Sequence, residues 1–146
     1  MEILANAKQL AREYRSVTGK PLGTTGEVAE YEAARHLGLR LTPARNMGYD
    51  ATEKIGGSIR RLQIKGRCLL PGSKRSQRLG RIDLSKEWDA VLMVLLDSSY
   101  ETLEIHEAER ESIRDALMKP GSKARNERGA LDVSLFKRIG TKRWPR

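Results

Sequence analysis

The stretch Ala90-Val91-Leu92-Met93-Val94-Leu95-Leu96 is an unbroken apolar run bounded by Asp89 and Asp97. A strand with no polar position has both faces covered, so the run predicts the central strand of an α/β sheet with helices on both sides. At 146 residues the chain suits one compact domain, 1–146, able to bury a core without disulfides or metal staples. Cys68 is the lone cysteine, which excludes a disulfide framework and fits a reducing, cytoplasmic setting. No apolar run approaches the roughly 20 residues that span a bilayer, and the first residues lack the pattern of a signal peptide. The expectation is a cytoplasmic protein with no membrane partner.

Other elements follow from periodicity. Ile3, Leu4, Ala7, Leu10, Ala11 and Tyr14 recur at helical spacing, predicting an amphipathic first helix. A second is expected from Thr24 through Val28, Ala29, Ala33 and Leu37 to Gly38, a helix-ending glycine. Leu39 to Leu41 predicts a short strand. Gly56-Gly57 predicts a two-residue hairpin turn through positive φ angles. With Ile55 and Ser58 flanking it, Glu53 faces Arg60, Ala51 faces Leu62 and Asp50 faces Gln63. Arg67 to Arg81 reads as a flexible basic loop, and Leu84 to Trp88 as a helical turn. Leu103 and Ile105 belong to a strand near an edge. A helix is expected from Glu107 to Met118. Leu131, Val133, Leu135, Phe136 and Ile139 can dock the tail on the core.

Charge narrows the function classes. The formal net charge is +9 and the pI about 10.0, which favours a polyanionic partner, nucleic acid first. Arg60, Arg61, Lys65, Arg67, Lys74, Arg75, Arg78 and Arg81 follow one another with no acid between them. Acids gather instead between Glu101 and Asp115, so the chain is electrostatically two-sided. Side chains alternate across a strand, so Gln63 and Lys65 share a face, with Asp50 opposite Gln63 in the hairpin register. An acid, an amide oxygen and an amine at one place suit a hard divalent cation beside a phosphate. Ala51, Leu62 and Ile64 take the opposite face, toward the core.

Asp50 followed by Gln63-Ile64-Lys65 resembles the PD-(D/E)xK nucleases, the restriction-endonuclease-like superfamily. The expected element order is similar to its α-β-β-β-α-β core, a central mixed sheet flanked by helices. The resemblance covers roughly Thr24 to Asp97 and implies a DNA endonuclease using Mg²⁺ or Mn²⁺. Asp50, Gln63 and Glu27 would hold the metal and Lys65 would assist the attacking water. Arg60, Arg61, Arg67, Lys74, Arg75, Arg78 and Arg81 would contact the nucleic acid. Gly-Tyr-Asp with Leu-Gln-Ile-Lys-Gly-Arg also resembles small bacterial proteins of unknown function placed in that superfamily. Tyr49 stands where the motif has proline, which is not a ligand. Gln63 replaces the usual acid and removes a negative charge; transposon-end endonucleases of this fold are similar in using Gln-x-Lys.

Each residue also has a plainer reading. Asp50 can serve as a turn residue, Thr24-x-x-Glu27 is a capping-box pattern, and Gln63 and Lys65 can line a solvated strand face. Arg60 can be occupied by Glu53. Two further classes stay open, a non-catalytic nucleic-acid-binding module of the same fold and a basic subunit of an assembly. Cutting both strands would take a homodimer or a partner protein.

Overall fold

The computed structural model describes residues 2–19, 23–43, 48–72, 77–121 and 129–146. Its described residues form a mixed α/β fold with four helices and one six-stranded sheet. The helices are α1 (Glu2–Thr18), α2 (Thr25–Leu37), α3 (Arg110–Met118) and α4 (Val133–Ile139). The strands are β1 (Arg40–Leu41), β2 (Ala51–Ile55), β3 (Ser58–Cys68), β4 (Ala90–Leu96), β5 (Thr102–Glu109) and β6 (Thr141–Trp144), in that spatial order. Only β3 and β4 run parallel; all other neighbours are antiparallel.

Every residue of β4 is buried, as its unbroken apolar run requires. Leu92, Val94 and Leu96 face Val28, Ala29 and Ala33 of α2, with Ala51, Leu62 and Ile64 beside them. Val91, Met93 and Leu95 face Ile113, Leu131 and Phe136 and the buried Trp88 on the other side. The hairpin forms in the expected register, with Glu53 opposite Arg60 and Ala51 opposite Leu62. Gly56 alone of the glycine pair has a positive φ, 60°, so the turn needs glycine at its first central position.

Four expectations change. β5 is not at the edge, because residues 141–144 of the tail add β6 outside it. The strand continues to Glu109, so α3 starts at Arg110 instead of Glu107. The basic stretch is held where it is described: Leu79 N–H donates to Leu131 O and Ile82 N–H to Gly129 O, and both side chains are buried. Finally, α1 forms, but Ile3, Leu10 and Tyr14 remain exposed. Its docked side carries Lys8, Ala11, Arg12 and Arg15, which reach Glu32, Glu101, the Ser99 carbonyl and Tyr100. Polar anchors around one small buried alanine decide which face of α1 meets the sheet. Among the described residues no helix is long and apolar enough to cross a membrane.

Candidate active site

β3 is longer than its partner β2, and the ladder between them stops at Ala51 and Leu62. Asp50 therefore does not pair with Gln63 as the register extrapolates. Its N–H donates to Leu62 O at 2.8 Å, and its Oδ2 accepts the Ile64 N–H at 2.8 Å. The carboxylate thus caps the stretch of β3 that β2 leaves unpaired, where a bare backbone donor would otherwise lack an acceptor. The Thr42 N–H donates to Asp50 O at 2.9 Å, fixing the same residue from the β1 side.

Gly48 shapes the approach to Asp50. Its φ of 104° lies in the left-handed region, and an added Cβ would fall 2.8 Å from Lys86 Cβ. Glycine lets the chain pass there and turn its carbonyl onto Gln63, whose Nε2 donates to Gly48 O at 2.9 Å. This bond fixes the amide, since only the NH₂ end can face a carbonyl. Gln63 is 9% exposed, and its Oε1 is buried with no hydrogen-bond partner. Lys65 lies two residues further on the same strand face, half-buried and without a hydrogen bond or ion pair among the described residues. A methyl group at Gly80 would come within 3.9 Å of its Nζ.

The helix side brings one acid that sequence reasoning missed. Glu30 sits one turn after Glu27 on α2, against Asp50. Burial, then the Asp50 carboxylate, and more weakly Glu27, push the Glu30 carboxyl up to about 7. Two carboxyls sharing one space disfavour double ionisation. Glu27 itself is exposed, and Thr24 makes no side-chain capping bond, so its end of the capping box does not form. Spacing of three residues along a helix, which puts Glu27 and Glu30 on one face, was the available signal for Glu30.

These oxygens suit a hard divalent cation: two adjoining carboxyls and an orphaned amide oxygen are the donor types Mg²⁺ takes. Among the described residues no group of three His, Cys, Asp or Glu side chains could hold a metal ion. Any such ion would therefore depend on Gln63 Oε1, water and phosphate as well as on carboxylates.

The basic residues separate into two groups. Arg60 is enclosed by Glu53, Glu107 and Glu109, at 3.3, 3.0 and 2.9 Å. Arg61 is bound by Asp89 and Glu87. Both are already neutralised by carboxylates of the fold. Arg67 and Arg78 are half-buried and Arg81 is exposed; Arg78 bridges through its backbone to Asp132. Lys74 and Arg75 lie outside the described residues. Compared with known families and with curated proteins, the chain matches none.

Proposed function

We propose that the protein is a Mg²⁺-dependent DNA endonuclease of restriction-endonuclease-like architecture that hydrolyses a phosphodiester bond with water. The observation that carries this reading is the meeting of the Asp50 and Glu30 carboxyls at the unpaired stretch of β3, where Asp50 accepts the Ile64 N–H and the neighbouring Gln63 keeps a buried, partnerless Oε1. The mixed sheet with one parallel pair, β3 beside β4, is in keeping with it, although among the described residues no helix lies between those two strands where the expected α-β-β-β-α-β core has one.

Asp50, Glu30 and Gln63 are the residues that would hold the cation, with Glu27 within reach of the same helix face. When bound, Mg²⁺ supplies charge neutralisation at the phosphoryl oxygens and a more acidic water. Asp50 uses its Oδ2 for the Ile64 amide, which leaves Oδ1 as the oxygen that would bind. Gln63 is held by Gly48 and presents Oε1 without a rotamer search. Glu30 carries or releases a proton near neutral pH, the range in which a group can trade protons with a reacting water. Lys65, unpaired and half-buried, offers an ammonium donor to the developing phosphoryl charge. Arg67, Arg78 and Arg81, which make no ion pair among the described residues, would neutralise the DNA backbone.

Supercoiled DNA incubated with the protein and Mg²⁺ or Mn²⁺ tests this directly. Nicking is expected with wild type, absent in EDTA, and reduced at least ~100-fold in Asp50→Ala. Wild type that binds DNA but never nicks it favours the non-catalytic binding module.

A further inference from the structure

Past Lys65, β3 opens onto a cleft of about 290 Å³ lined by Arg15, Thr25, Gly66, Arg67, Leu70 and Gln77 among others, with no carboxylate in its lining. Arg67 is half-buried yet makes no hydrogen bond or ion pair with any described residue, and its Nε is buried with no acceptor. Arg15 is held over the Tyr100 ring at 4.7 Å and donates to Tyr100 Oη and Ser98 O, but its Nε also lacks an acceptor. Gln77 Oε1 is a third buried polar atom without a partner.

Two half-buried guanidinium groups, each with its Nε lacking an acceptor and with no carboxylate partner among the described residues, favour an anion that joins them. The fitting partner is a tetrahedral oxyanion, because phosphate oxygens match the arginine fork. The first turn of α2, beginning at Thr25, adds amide donors and the positive end of the helix dipole. We infer that this cleft is a phosphate-binding subsite. Resting on the nuclease reading above, its occupant is the DNA phosphodiester that adjoins the scissile one. Arg67 and Lys65 are two residues apart on one strand face, ~6–7 Å along the strand.

The test is DNA binding by fluorescence anisotropy in EDTA across a salt series, comparing wild type, Arg67→Gln and Arg114→Gln. Arg114 is an exposed α3 residue paired with Asp115. Arg67→Gln should weaken binding and lower the slope of log affinity against log salt by about one, while Arg114→Gln leaves it unchanged. An equal slope for Arg67→Gln and wild type overturns the DNA assignment. Inorganic phosphate is then titrated against the melting temperature at constant ionic strength. Stabilisation of wild type but not of Arg67→Gln supports an oxyanion site filled by free phosphate, and stabilisation of neither overturns the subsite. Arg67→Gln should melt no lower than wild type without ligand, because it removes an uncompensated charge. None of these readouts requires cleavage, so a protein that fails to nick refutes the nuclease reading and leaves the cleft to be judged by its own data.

Discussion

Gln63 and Glu30 show how single side chains are tuned by what faces them. A glutamate at 63 would set one of its oxygens against the Gly48 carbonyl, acceptor against acceptor at the 2.9 Å now spanned by an N–H donor. The amide avoids that conflict and keeps its oxygen for the site. Glu30 meets the opposite situation, with its proton retained to about pH 7 by burial and by Asp50. An acid whose folded pKa is raised stabilises the native state fully below its unfolded value, here 4.5, and loses that contribution as pH rises through about 7. Glu30→Gln should therefore melt close to wild type near pH 5 and above it near pH 8 in EDTA. Adding Mg²⁺ should stabilise wild type more at the higher pH, where the carboxyl is free to bind, and should stabilise Glu30→Gln much less. Thermal melts at the two pH values decide it; a gap between the proteins that does not change with pH would refute the Glu30–Asp50 coupling.

At the scale of elements, the position of α2 over β3 sets the distance between the helix acids and the strand residues. Gly66 permits the approach: a Cβ there would lie 2.5 Å from Ala29 Cβ and 3.1 Å from Thr25 O. Gly66→Ala must push the helix off the strand, at a cost of about 1–3 kcal/mol. The same shift withdraws Glu30 from Asp50, so nicking should fall by more than the loss of folded protein explains. Adding Ala29→Gly removes the closest clash and should recover part of both, less about 1 kcal/mol for glycine inside a helix. Denaturant unfolding alongside the nicking assay separates the two effects. The glycine was visible in Gly66-Arg67, but nothing local says which helix would press on it. The same holds for α1, whose apolar spacing was legible while its docked face was chosen by Lys8, Arg12 and Arg15 and their distant partners.

For the whole molecule, the organising point is Glu32, fully buried on α2. Lys8 of α1 reaches it at 2.5 Å, Arg35 at 2.7 Å and Thr102 of β5 at 3.2 Å, so a single carboxylate ties two helices to the sheet. Burial would raise its pKa, but the Lys8 and Arg35 hydrogen bonds outweigh that and hold it below the ordinary carboxylate value. With a lowered folded pKa, this contribution is present above the unfolded pKa and is lost as acid titrates the folded carboxylate. Glu32→Ala leaves Lys8 only the half-exposed Glu101, 3.1 Å away, and should cost roughly 2 kcal/mol in denaturant unfolding at neutral pH, with a smaller difference from wild type in acid. A neutral-pH loss under about 1 kcal/mol would show that α1 docks without this acid.

The sequence by itself determined the elements whose cause is local or periodic. These are the central strand from its unbroken apolar run, the hairpin register from Gly56-Gly57, the start and stop of α2, and the presence of Asp50, Gln63 and Lys65 within one hairpin. Tertiary structure alone decided what depends on distant partners. It ended the β2–β3 ladder one residue short, so that Asp50 caps Ile64 instead of facing Gln63. It brought Glu30 against Asp50, enclosed Arg60 with glutamates from β2 and β5, and left Arg67 without a counter-ion among the described residues. It also closed the sheet with β6 from the tail. Spacing along the chain encodes which face a residue shares with its neighbours, whereas charge pairing and burial depend on residues far away in sequence that only the folded chain brings within a few ångströms.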